Sequence, residues 1–249
     1  MEPSMSGSKV IALATPRCSQ CPVRSEGICC GLSKPEIDEI SRLGRYRHFN
    51  AGSQIIHQDN ASEFFAVIVS GRIKLIREGP DGRQQIVGFL SESDCLGDLF
   101  QDVSHQSAEC IMAVLLCCFP RKPFEAFLKN HPELEHRLFL RAMKQLDETR
   151  EWLFALGQQK AAERVASFLL WLCRDHGIGS PDGRKPGYNS VVDCPFSRQD
   201  IADFLGLTIE TVSRSFSKLR MSGLIKLHPD KRIQILDFDA LDRLAETAA

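Results

Sequence analysis

Apolar positions change their period twice along this chain. Between residues 49 and 120, short β-prone runs such as FFAVIVSGRIKLIREG and QQIVGFL alternate with turn signals at Gly52, Gly71, Gly82, Gly88 and Gly97. That spacing predicts an antiparallel barrel or jelly roll. From His131 to Leu156 the period lengthens: Phe139, Leu146 and Leu153 recur every seven residues, with Ala142, Thr149 and Leu156 as a second seam. The pattern predicts one long helix with a coiled-coil-like face. At about 25 residues it spans roughly 37 Å, and such a seam pairs most simply with a second copy of itself about a two-fold axis. Gly157 reads as a hinge, residues 157 to 177 as a further helix, and GIGSPDGRKPG (177 to 187) as a polar, turn-rich loop.

A shorter-range pattern follows at SRQDIADFLGLTIETVSRSFSKLR, residues 197 to 220. Ser197 is placed to cap a helix with Asp200 in the capping-box position, and Ile201, Ala202 and Leu205 form its buried stripe. Gly206 breaks the period. Thr208 then caps a second helix whose Ile209, Val212, Phe216 and Leu219 recur at three- and four-residue steps, leaving Glu210, Ser213, Arg214 and Lys218 on the other side. That polar face has what a major-groove reader needs. Arg can grip guanine O6 and N7, Glu can accept from a cytosine amine, and Ser can serve a base or a phosphate. Gly223 ends the helix, and LIKLHPDKRIQIL (224 to 236) is two β-prone runs around His228, Pro229 and Asp230, so a winged helix is predicted.

Charge sharpens this reading locally rather than globally. The chain of 249 residues carries a formal net charge of −1, yet between Arg198 and Arg232 seven cations face four anions. Local enrichment of that kind suits phosphate contacts on double-stranded DNA. With 43% hydrophobic and 25% charged residues and no apolar run near membrane length, the chain reads as a cytoplasmic protein of about two domains; Val10 to Ala14 is too short for a secretory core. In that reducing compartment ten cysteines argue for metal, redox or plain burial roles rather than a disulfide framework.

The cysteines are not spread evenly. Cys18 and Cys21 form a CxxC, and Cys29 follows with Cys30 beside it, in a Ser-, Pro- and Cys-rich stretch (1–32) that shows no periodicity and needs a tie to become ordered. A CxxC can place two thiolates on an iron-sulfur cluster or a zinc ion, and a third nearby Cys plus a distant fourth completes a four-thiolate site. Cys117, Cys118 and Cys110 are the distant candidates, whereas Cys173 and Cys194 read as structural. A thiol-disulfide enzyme built on Cys18 and Cys21 lacks the βαβ context, and no Ser-His-Asp or paired-carboxylate constellation is present, so no enzyme is predicted.

An α+β chain with a Cys-rich segment (1–32), a β-roll (33–124), a dimerisation helix (125–157) and a winged helix-turn-helix (158–249) resembles the CRP- and FNR-type bacterial transcription regulators over almost its whole length. IETVSR matches the Glu-x-x-Ser-Arg recognition motif of the FNR-type branch through Glu210, Ser213 and Arg214. The resemblance implies a homodimer on a palindrome similar to TTGAT and its inverted repeat, with Arg214 on guanine, Glu210 on cytosine and Ser213 toward thymine. RNA polymerase is the implied downstream partner. Where cyclic-nucleotide binders carry a Gly-Glu pair and a cationic phosphate clamp, this chain has Gly97, Asp98, Gln106 and Ser107. Neutral Gln106 cannot clamp a cyclic phosphate, so cyclic AMP is not expected.

The same resemblance implies a [4Fe-4S] cluster on Cys18, Cys21, Cys29 and Cys117, the last chosen because it precedes Pro120 by three positions. In this branch the cluster supports the DNA-binding dimer and oxygen degrades it. Thr149 stands where a well-known member has a seam Asp, which points to reorientation of the subunits rather than monomerisation. The alternatives are zinc at the N-terminal cysteines, or no metal, as in FixK-like members controlled by a small molecule or by a thiol such as Cys194.

Overall fold

The structure is a computed structural model that describes residues 18–176 and 190–246. The chain divides into two compact units, Met1–Gln145 and Leu146–Ala249.

In the first unit a 3-10 turn (Cys18–Gln20) and further turns lead into α1 (Lys34–Leu43), with Pro35 in its first turn and Ser33 as its cap, whose N–H donates to Glu36 Oε2 at 2.7 Å. Eight strands follow: β1 (Arg45–Phe49), β2 (Gln54–Ile56), β3 (Phe64–Ser70), β4 (Ile73–Glu78), β5 (Gln84–Leu90), β6 (Cys95–Leu96), β7 (Ser107–Cys110) and β8 (Val114–Pro120). They form two antiparallel four-stranded sheets, ordered β1-β8-β3-β6 and β2-β7-β4-β5, which is the jelly-roll-like build the alternating pattern predicts. Inside lie Ala66, Ile68, Leu75, Ala108, Leu116 and Cys118. The strand period of two sends Phe65, Val67, Val69, Cys117 and Phe119 to the outer face of the first sheet, where they are also buried. A strand covered on both faces explains the unbroken apolar run FFAVIV.

The cover on that outer face corrects two boundaries. Residues 18–32 are not a bare tail: Val23, Ile28 and Leu32 pack onto the sheet with Ile37 and Ile40 of α1 and with Phe124, Phe127 and Leu128. Residues 1–17 lie outside the described residues. Phe124 belongs to α2 (Arg121–Leu128), a separate helix stacked on Phe65 at 4.9 Å, so the expected boundary between residues 124 and 125 falls inside an element. The long helix α3 is Pro132–Gln158.

Gly157 is inside the last turn of α3 and is not the hinge. The break comes at Gln159 and Lys160, where the buried Gln159 amide donates to the Ala245 carbonyl at 2.7 Å and its carbonyl accepts from Ser167 Oγ at 2.9 Å. Those bonds fix the turn into α4 (Ala161–Asp175), which packs against α7 (Phe238–Glu246). Between them come β9 (Ser190–Asp193), α5 (Arg198–Leu205), α6 (Ile209–Met221), β10 (Ile225–Leu227) and β11 (Arg232–Ile235). The wing is a three-stranded sheet ordered β10-β11-β9, one strand more than the predicted hairpin. The predicted loop at 177 to 187 lies outside the described residues.

Candidate functional site

The turn between α5 and α6 is built by the residues that announced it. Ser197 and Asp200 form a full capping box: Ser197 N–H donates to Asp200 Oδ2 at 2.9 Å, and Ser197 Oγ accepts from Asp200 N–H at 3.0 Å. Gly206 sits at φ 62°, ψ 41°, the left-handed conformation that lets α5 stop and α6 start at once. Thr208 caps α6, its Oγ1 accepting from Thr211 N–H at 3.3 Å. Val212, Phe216 and Leu219 are buried against the domain, whereas Thr208, Glu210, Arg214 and Lys218 are exposed and Ser213 is half-exposed. Ile209, expected in the buried stripe, is exposed instead, because it opens the helix before the first turn reaches the core.

Electrostatics on this face are poised for an acceptor-rich partner. Glu210 is held below its usual carboxylate range by backbone N–H donation at the helix start, by the Thr208 hydroxyl and by Arg214. The Arg214 guanidinium rests on Thr211 Oγ1 at 3.3 Å, a neutral contact that it can exchange for a base edge. Two counted cations have other roles. Arg198 lies 3.5 Å from the centre of the Phe216 ring, where it supports α6 from behind, and Arg232 is paired with Asp230 at 2.6 Å across the wing turn. Lys218, Arg220, Lys226 and Lys231 are exposed.

The second cluster lies on the outer face of the β-roll. Cys18, Cys21, Cys29 and Cys117 together line one cavity of about 30 Å3, with Arg24, Ile28, Tyr46 and Phe119 among the other walls. Strand alternation decides which distant cysteine faces it. Cys117 points outward toward the N-terminal cysteines, while Cys118 and Cys110 are buried in the roll interior; Cys30 is exposed and lines no part of the cavity. Burial in apolar surroundings and the neighbouring thiols push Cys29 up to about 12 and raise Cys18 and Cys117. A thiolate is therefore stable there only beside a compensating cation.

Those residues fit an iron-sulfur group by donor type and by convergence. Among the described residues no three His, Cys, Asp or Glu side chains are gathered tightly enough to hold a single metal ion. A cubane, whose irons sit at separate corners, needs its thiolates farther apart than the four sulfurs around one zinc.

Three residues that the sequence reading did not single out shape this region. Tyr46 is the direct cross-strand partner of Cys117 and lines the cavity. Arg137, from α3, packs its guanidinium against Gly31. Arg141, one turn further along α3, donates to the Ser93 carbonyl at 2.7 Å and to the Glu26 carbonyl, with Asp94 Oδ1 at 3.8 Å. Only the strand register and the helix phase reveal these neighbours, and neither is readable from spacing alone. The cyclic-nucleotide positions are in structural use: Ser107 Oγ accepts from Gln58 N–H at 2.9 Å, and the Asp98 carbonyl accepts from Ser62 Oγ at 3.0 Å. Along α3, Phe139, Ala142, Leu146, Thr149 and Leu153 are exposed and Leu156 is half-buried.

A β-roll joined by a long helix to a winged helix-turn-helix defines a class of DNA-binding transcription regulators. Residues 46–131 match the cyclic nucleotide-binding domain family and residues 163–244 the Crp-like helix-turn-helix domain family. The chain belongs to the CRP/FNR family of transcription regulators. It is 39% identical to a probable transcriptional activator of Rhizobium leguminosarum bv. viciae, covering 91% of this chain and 92% of that one. Similarity extends to the nitrogen fixation regulation protein FixK of Bradyrhizobium diazoefficiens (38% identical, covering 84% and 86%) and to the transcriptional activator FnrL of Cereibacter sphaeroides (34%, covering 90% of each). The solved structure of FixK2 from Bradyrhizobium japonicum superposes with a TM-score of 0.73 at 26% identity, covering 83% of this chain and 99% of that one. By name these relatives are transcriptional activators and regulation proteins, and among the described residues no helix is long and apolar enough to cross a membrane.

Proposed function

We propose that this chain is a cytoplasmic, homodimeric transcription activator that reads a TTGAT-type palindrome under the control of a [4Fe-4S] cluster held by Cys18, Cys21, Cys29 and Cys117. The convergence of those four thiols on one cavity carries the reading. Bound there, the cluster supplies an oxygen-labile core whose iron offsets the charge of four thiolates.

The chain's own residues supply the rest. Val23 and Ile28 hold the cysteine turns on the β-sheet, and Arg141 fastens Glu26 of those turns and Ser93 of the roll to α3. Movement of residues 18–30 therefore pulls on the helix that carries Phe139, Leu146 and Leu153, the proposed dimer seam. Arg214, Glu210 and Ser213 address the bases, Thr208 and Lys218 the phosphates, and RNA polymerase is the partner downstream. With Thr149 in the seam instead of a carboxylate, oxygen reorients the dimer without separating it.

Anaerobic purification tests the reading. A brown protein with roughly four iron and four sulfide per chain, whose operator binding fades as it bleaches in air, supports it; colourless protein that binds its operator fully refutes it. A cluster-free regulator is the second reading, favoured by the likeness to FixK. Its thiol version at Cys194 requires that side chain, now 4% exposed, to open to solvent. A zinc-holding version requires the thiols to draw closer together than they are.

A further inference from the structure

The buried Tyr46 hydroxyl, in a wall of the cysteine cavity, makes no hydrogen bond of good geometry. Its position follows from the strand register. Tyr46 in β1 lies directly opposite Cys117 in β8 of an antiparallel pair, and Val67 of β3 flanks Cys117 on the other side. Opposite residues share a face with their Cβ atoms about 5 Å apart. The phenol therefore stands beside the Cys117 sulfur, reaching toward Cys21 and Cys18, which line the same space.

No hydrogen bond of good geometry satisfies this buried hydroxyl, and the acceptors within its reach are cysteine sulfurs, Cys21 first among them, so the phenol is aimed at whatever those sulfurs hold. Apart from Arg24, a donor, the other side chains of the wall are apolar or sulfur, Ile37, Ile40, Val69 and Phe119 among them.

We propose that the Tyr46 hydroxyl donates a hydrogen bond to sulfur of the cluster held in this cavity, as a positioning residue that sets its reduction potential and its lifetime in air. The inference rests on the cluster reading above. Its sign follows from charge. Reduction makes the sulfurs more negative, and a donor stabilises the more negative state more strongly, so removing the donor lowers the potential and eases oxidation.

The test uses the full chain, prepared without air, as wild type and as Tyr46→Phe. Both are assayed for iron and acid-labile sulfide, for secondary structure by circular dichroism, for reduction potential, and for the decay of visible absorbance in air-saturated buffer. The expected variant carries wild-type iron and sulfide, has a lower potential, and bleaches about threefold to tenfold faster, the ratio one hydrogen bond carries. A second measurement covers a variant that loads or folds poorly. The sequence has two tyrosines, so growing Tyr188→Phe on 3-fluorotyrosine labels Tyr46 alone with a more acidic, stronger donor, and bleaching should slow. Equal potentials and equal bleaching rates among loaded proteins overturn the role of Tyr46 while leaving the cluster reading intact. Wild-type protein without iron and sulfide overturns both.

Discussion

Arg141→Ala should separate sensing from DNA binding. The guanidinium donates to two carbonyls that belong to different segments, Glu26 in the cysteine turns and Ser93 before β6, and it faces Asp94 at 3.8 Å. Hydrogen bonds from a charged donor contribute about 1.5 kcal/mol each. The side chain is 29% exposed and Asp94 40% exposed, so the ion pair adds no more than about 0.5 kcal/mol. Solvent screening trims the total to roughly 2 kcal/mol, which lowers the melting temperature by about 4 to 8 °C for a chain of this size. In the proposed sensing role that contact, together with Arg137 against Gly31, links the cysteine turns to α3. A coupling of about 2 kcal/mol corresponds to roughly a 30-fold ratio of operator affinity between loaded and bleached protein. Fluorescence anisotropy with a labelled palindrome, before and after air exposure, measures that ratio. Arg141→Ala should load iron and sulfide normally and bring the ratio close to one. A loaded variant that keeps the wild-type ratio refutes the argument, and thermal melting then shows whether Arg141 stabilises the fold alone.

Substituting Arg214→Ala should remove about 1 to 3 kcal/mol of discrimination between operator and scrambled DNA, the worth of one bidentate guanine contact; competition binding reads it, and an unchanged ratio counts against the assignment. Cys117→Ser should abolish cluster loading in iron and sulfide analysis, whereas Cys118→Ser, whose side chain faces the roll interior, should load fully. Leu153→Glu places a carboxylate on a side chain that is 73% exposed in the single chain and should give monomers by light scattering with little change in melting temperature. Wild-type protein sized before and after air exposure should stay dimeric, and complete conversion to monomer would refute the reading of Thr149.

The helix-turn-helix was legible almost to the residue because its signals are local. A capping box, a left-handed glycine and a three-to-four period each act within a few positions, and Ser197, Asp200, Gly206 and Val212 all do what their spacing announced. Ile209 was misread because periodicity says which side a residue faces and not whether the first turn of a helix has yet reached the core. Gly157 misled for a related reason: a single glycine is tolerated in a helix end, and the break is set by Gln159 reaching Ala245, 86 positions away in sequence. The β-roll was legible as a class, but not its cover. Val23, Ile28 and Leu32 show no period, since a turn that packs on a sheet needs only scattered anchors.

Cys117 and Cys118 show how one strand divides two roles. Inside the roll, Ile68, Leu75, Leu116 and Cys118 pack together as core. Gly97, which resembles a ligand-binding glycine, is required by backbone packing: its φ is 100°, and a Cβ there would lie 2.5 Å from the Phe64 carbonyl oxygen. With the interior packed as core, the cavity that gathers the four cysteines lies on the opposite face of the same sheet, bounded by Tyr46 and Cys117. The period of two along β8 therefore places Cys118 among core hydrophobes and Cys117 at the proposed sensor. A register slip of one residue would exchange them, exposing a thiol to the cavity that the turns at residues 18–30 could no longer match. The filled interior resists such a slip, so the core packing of the roll also holds Cys117 on the face of the proposed sensor.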